Sequence, residues 1–73
     1  MKIYISENLR HLRKKVVLLS QQKLAEKLKI KRAGYAKYEE GLNEPNLGIL
    51  IKISRFYKIS IDDLITKKIK RIK

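Results

Sequence analysis

The chain has 73 residues, no cysteine and one histidine, and its 19 lysines and arginines against 7 acidic residues give a formal charge of +12. This composition excludes a disulfide framework and any Cys/His zinc site, while 44% hydrophobic residues are enough for one small folded domain rather than a disordered chain. A folded domain this basic most often meets a polyanion, with nucleic acid first; the plainer reading is a solvated basic surface without a partner.

No apolar run exceeds Val16-Val17-Leu18-Leu19, far short of the roughly 20 residues that cross a bilayer. The opening MKIYISENLR is broken by Ser6, Glu7 and Asn8 and lacks the apolar core of a secretory signal. A cytoplasmic protein with no membrane partner is expected.

Ser6 is the expected N-cap of a first helix to about Val16, with Ile5, Leu9, Leu12 and Val16 on its buried face. His11 falls on the polar side, and one histidine alone makes no metal site. Ser20 opens a second helix of about 21–28 that buries Leu24, Ala25 and Leu28. The turn Lys29-Ile30-Lys31 leads into a third helix at about 32–40, where Tyr35 and Tyr38 face inward. At about 100° per residue, Ala33 and Lys37 then lie almost opposite the core, with Arg32, Gly34 and Ala36 on the flanks.

This third helix is locally ill-suited to its conformation. Gly34 costs it roughly 1 kcal/mol relative to alanine, and Lys31 stands where a hydroxyl or amide cap is preferred. Gly41 ends it, and Leu42 to Asn46 form a loop from which Pro45 or Asn46 opens a fourth helix carrying Leu47, Leu50, Ile53 and Tyr57. Ser60-Ile61-Asp62-Asp63 is a Ser-x-x-acid start to a fifth helix with Leu64 and Ile65. The domain is expected over 1–66, followed at 67–73 by a basic segment whose Ile69 and Ile72 fit either a continuation of the fifth helix or a frayed tail.

Two short helices joined by a tight turn, the second with a basic, small-residue outer face, is the layout of a helix-turn-helix. From about Ile5 to Ile65 the chain resembles the Xre-like domains of the phage-repressor and Cro class. The matching pieces are Asn8-Leu9-Arg10-His11-Leu12-Arg13, Ser20-Gln21-Gln22-Lys23-Leu24-Ala25-Glu26-Lys27-Leu28, Tyr38-Glu39-Glu40-Gly41, Glu44-Pro45, Leu50 and Ile59-Ser60-Ile61-Asp62-Asp63-Leu64-Ile65.

The resemblance implies an all-α, compact five-helix lambda-repressor-like domain whose third helix enters the major groove of double-stranded DNA. On that reading Ala33 and Ala36 let the backbone approach base edges, and Arg32 and Lys37 are the long donors to guanine or phosphate. Lys31 adds charge beside the DNA, and Gly34 lets the second and third helices approach near Ala25. Gln21 matches the family glutamine that places its amide on a phosphate and braces the recognition helix. Gln22 and Lys23 belong to the same helix start, and Asn43 and Asn46 are further phosphate candidates. Arg13 and Glu39 match a pair tying the first helix to the third. The structural alternatives are solvated charges at Arg32 and Lys37, and plain helix formers at Ala33 and Ala36.

The chain departs from the family in three places. It is one residue longer through Val16 to Leu19, where relatives have a glycine. Lys29 occupies a turn position where glycine is frequent, and Lys31 replaces the usual Ser or Thr cap.

Neither catalytic residues nor a cofactor or metal site is expected, since Asp62-Asp63 start a helix, Glu39-Glu40 lack ligand companions and no Gly-rich phosphate loop is present. The expected function is a sequence-specific, DNA-binding transcriptional regulator, a repressor on an inverted-repeat operator. One such module offers less interface than specific binding needs, so a homodimer is expected, with Ile49, Ile51, Phe56, Ile65, Ile69 and Ile72 as candidates for its interface. The alternative is an antitoxin-type protein-interaction module with secondary DNA binding. RNA binding lacks the exposed aromatics interleaved with basic residues that it ordinarily uses.

Overall fold

The computed structural model describes residues 2–69. The first helix, α1 (Ile5–His11), starts without a side-chain cap: Tyr4 occupies the N-cap position, and its N–H donates to the Ile65 carbonyl at 2.7 Å. This long-range tie fixes the entry of the chain, so Ser6, expected as the cap, lies inside the first turn instead.

After His11 the helix widens into a π turn, Leu12–Val17, closed by Leu18 in the left-handed region at φ 56°. The N–H groups of Leu18 and Leu19 both donate to the Arg13 carbonyl. A π turn holds one residue more than an α turn, which gives room for the extra residue expected in this segment. Val16 leaves the buried face as a result and is 57% exposed, which a straight period of about 3.6 does not anticipate.

Helix α2 (Gln21–Leu28) is capped by Ser20, whose Oγ accepts from the Lys23 N–H at 3.1 Å. It ends at Lys29 with φ 59°, where the N–H groups of Lys29 and Ile30 return to the Ala25 carbonyl. Helix α3 (Arg32–Glu40) follows an extended, uncapping Lys31 and ends at Gly41 with φ 77°. Asn46 opens α4 (Leu47–Tyr57) by accepting from the Ile49 N–H at 2.9 Å. Ser60 does the same for α5 (Ile61–Thr66), accepting from the Asp63 N–H at 3.0 Å.

Helix α1 packs against α3 and α5, α2 against α3 and α4, and α4 against α5. Leu9, Leu24, Tyr35, Ile53 and Leu64, one from each helix, are fully enclosed at the centre. Among the described residues the architecture is the expected all-helical, five-helix one.

The start of the basic tail is neither a helix continuation nor frayed. Lys67 is extended, with φ −111° and ψ 148°. The buried Asn8 amide donates to the Leu64 and Lys67 carbonyls, both at 2.7 Å, and its Oδ1 accepts from the Ile69 N–H at 3.0 Å. Ile69 is thereby drawn into the core at 3% exposure, and the packed domain reaches past residue 66. Of the residues considered for a dimer interface, Ile69 is therefore core, while Ile49, Phe56 and Ile65 are half-buried against it. Ile51 stays 41% exposed, and Ile72, with the rest of the segment 70–73, lies outside the described residues.

Candidate nucleic-acid interface

Tyr35 and Glu39 turn one face of α3 into the core, which leaves Arg32, Ala33 and Lys37 exposed on the other. Ala36 and Gly34 are half-buried at the margins. The outward surface of this helix is thus two short side chains, a bare backbone position and two long cations.

What holds α3 in place is a buried ion pair. Arg13 Nε donates to Glu39 Oε2 at 2.6 Å and Arg13 Nη2 to Glu39 Oε1 at 3.0 Å, a two-pronged contact of the kind a guanidinium makes best. Arg13 Nη1 also donates to the Leu19 carbonyl at 3.1 Å, so the residue spans from the π turn across to α3. The neighbouring Arg10 donates to the Glu39 carbonyl and satisfies a group that the helix end leaves free. Hydrogen bonding to Glu39 raises the Arg13 pKa against the opposing effect of burial. Burial by itself pushes the Glu39 carboxyl up, but the hydrogen bonds from Arg13 and Gln21, together with the Arg13 charge, prevail, and its pKa is lowered. Burial, followed by the nearby Glu39 carboxylate, pushes the Tyr35 phenol far above its ordinary value.

Gln21 joins the same cluster, its Nε2 donating to Glu39 Oε1 at 3.0 Å. The bracing expected of this residue is present, and one amide hydrogen of its side chain is left to reach elsewhere. Gln22 is exposed and bonds along its own helix to Glu26 at 2.8 Å, while Lys23 is exposed beside it. Because Gln21 begins α2 and Glu39 lies in the last turn of α3, the bond brings the Gln21 to Lys23 turn to the C-terminal end of α3. The loop lies there as well, since the Leu42 and Asn43 N–H groups donate to the Lys37 carbonyl. Asn43 is exposed, and the exposed Asn46 has its Oδ1 engaged as the cap of α4. Lys31 and Arg32 mark the other end of α3, about 12 Å away along a nine-residue helix.

The role expected of Gly34 is overturned. A β-carbon built on it would meet no atom within 4 Å, so the approach of α2 and α3 does not require a glycine. Ala25, 1% exposed, is the small residue buried in α2.

Two residues that matter were missed by sequence reasoning. Asn8 was visible as a polar residue inside the apolar stripe Ile5, Leu9, Leu12, the usual sign of a buried hydrogen-bonding group. Arg10 carries no such signal, since its partner is a backbone carbonyl 29 residues away.

The helix-turn-helix family pattern matches residues 9–64, nearly the whole helical array. The chain belongs to the helix-turn-helix family. It is 45% identical over 60 residues to the uncharacterized HTH-type transcriptional regulator YqaE of Bacillus subtilis (strain 168), a match covering 82% of this chain and 51% of that protein. It is 40% identical over 48 residues to the HTH-type transcriptional activator BcrR of Enterococcus faecalis, covering 66% of this chain and 24% of the other. A crystal structure of a transcriptional regulator from Listeria innocua superposes with a TM-score of 0.82 at 28% identity, covering 93% of this chain and 63% of that one. The chain thus spans about half the length, or less, of these two curated relatives.

This helix-turn-helix domain is of the Xre-like kind, and the two curated relatives are named as a transcriptional regulator and a transcriptional activator. Among the described residues no group of His, Cys, Asp and Glu is arranged to hold a metal ion, and no helix is long and apolar enough to cross a membrane.

Proposed function

We propose that this helix-turn-helix protein is a sequence-specific repressor that acts in the cytoplasm by occupying an inverted-repeat operator as a homodimer. The observation that carries the reading is the division of α3 between a small-residue, cationic outer face and an inner face clamped by Arg13, Gln21 and Glu39. A helix presented rigidly can hold side chains to the fraction of an ångström that base readout demands.

In this reading Arg32 and Lys37 reach base edges or phosphates across the short Ala33 and Ala36. Gln21, Gln22, Lys23, Lys31, Asn43 and Asn46 contact the sugar-phosphate backbone and set the register of the helix. Two copies supply the interface that one lacks, and the exposed pair Leu47 and Ile51, one turn apart on α4, supports a self-association surface.

Selection from a randomised duplex pool at near-physiological salt tests this. An enriched inverted repeat with half-site centres about 10 base pairs apart is the expected result. A promoter carrying that repeat should then be silenced when the protein is present. Retention of duplexes without enrichment overturns the sequence-specific reading and favours a protein partner as the primary target.

A further inference from the structure

Gly34 is the position in α3 for which the folded chain supplies no reason. Its backbone is ordinary right-handed helix, outside the positive-φ positions of the chain, and a β-carbon there would have no neighbour within 4 Å among the described residues. Gly41 is different, because its φ of +77° is one that side chains rarely adopt. Alanine at position 34 would favour the helix and collide with nothing inside the protein.

The space it would fill belongs to whatever α3 docks on. An α-helix with its side chains is about 10–12 Å across, and the major groove is about 12 Å wide. A helix seated there has almost no slack on its flanks. Counting about 100° per residue, Gly34 lies about 100° round the axis from Ala33 and about 60° from Lys37. It therefore borders the exposed face without being at its centre. The centre of a groove-bound helix meets base edges and the margin meets the groove wall.

Resting on the DNA-reading function proposed above, we infer that Gly34 is a specificity-determining position: its bare backbone takes the sugar-phosphate wall of the groove, so that α3 seats deeply enough for Arg32 and Lys37 to reach the bases. A methyl group in that gap would lift the helix by an amount of order 1 Å. Hydrogen bonds of about 2.9 Å would then stretch toward lengths at which they are lost.

The test compares wild type with Gly34→Ala, by thermal melting and by titration against the duplex selected by wild type and a scrambled duplex of the same composition. Gly34→Ala should melt about 2–8 °C higher, from the ordinary gain of alanine over glycine in a small domain. Its affinity for the selected duplex should fall about tenfold, equivalent to ~1.4 kcal/mol. Affinity for the scrambled duplex should change less than about threefold, because charge-driven binding does not require deep seating. A higher melting temperature with undiminished affinity for the selected duplex overturns the inference, and so does a lower melting temperature, which would show that the fold itself needs the glycine. Failure of wild type to distinguish the two duplexes overturns the function it rests on and the inference with it.

Discussion

The Glu39 side chain is 3% exposed and faces an Arg13 side chain that is 11% exposed, so truncating either leaves a charge buried without its counterpart. Breaking such a pair costs about 3 kcal/mol or more, a large part of the whole stability of a domain this small. Glu39→Ala should therefore lower the urea midpoint more than Glu39→Gln, whose single amide oxygen still accepts one of the two Arg13 hydrogen bonds. The pair also sets a pH dependence. Because the folded-state pKa of Glu39 lies below its ordinary 4.5, the unfolded chain binds the proton first as the solution is acidified. The contribution is complete above pH 4.5 and is lost as the pH falls below it through the folded-state value. The stability gap between wild type and Glu39→Gln, measured by urea titration, should accordingly narrow below that pH and stay constant above it. Asn8 works through neutral bonds alone, joining Leu64, Lys67 and Ile69 to α1. Asn8→Ala should cost about 2–3 kcal/mol, with the Ile69 amide losing its protection from hydrogen exchange ahead of the other core amides.

Among the described residues three helical segments end on left-handed residues that are not glycine: Leu18, Lys29 and Lys58, with φ of 56°, 59° and 57°. A β-carbon in that region costs roughly 1–2 kcal/mol, and a C-terminal glycine removes the cost at these positions. Leu18→Gly and Lys29→Gly should each raise stability by about 1 kcal/mol. Leu18 is 76% exposed, so its removal sacrifices little burial, and denaturant titration should show a higher midpoint at unchanged slope. These ends also show what could be read in advance. Helices α2 and α3 were legible to the residue because Ser20 and Gly41 punctuate them and because Leu24, Leu28 and Tyr35 repeat at helical spacing. The exposed face of α3 followed from the same periodicity. The widening at Leu12–Val17 was not legible, since extrapolating a straight helix puts Val16 in the core and only the surplus residue hinted otherwise. The path of Lys67 to Ile69 escaped for another reason: the four-residue spacing of Ile65 and Ile69 fits a helix, and the deciding bonds come from Asn8, 61 residues before Ile69. Gly34 looked like a packing glycine because local sequence does not report how far away a neighbouring helix lies.

The charge of +12 is not confined to the face of α3. Lys27, Lys29, Lys52 and Arg55, with Leu28 and Phe56, line an open depression of about 330 Å³ between the C-terminal end of α2 and the C-terminal half of α4. The candidate phosphate contacts Gln21, Gln22, Lys23 and Asn46 stand at the opposite ends of those two helices. Eight residues of α2 separate the two regions by about 12 Å, slightly more than the Debye length of about 8 Å at physiological salt. Lys29 is only two residues from Lys31 and belongs with the proposed contacts, whereas Lys52 and Arg55, on α4, should feel a bound duplex as a screened field and not as ligands. This difference is measurable, because each phosphate neutralised by direct contact adds about 0.9 to the slope of log affinity against log salt concentration. Lys23→Ala and Lys37→Ala should each flatten that slope by about 0.9 if each meets one phosphate. Lys52→Ala and Arg55→Ala should leave the slope unchanged while slowing association at low salt, where long-range steering operates. Should Arg55→Ala flatten the slope as much as Lys23→Ala does, phosphates must run past the ends of α2 and α4, and the duplex would then lie across the domain in an orientation that α3 does not govern.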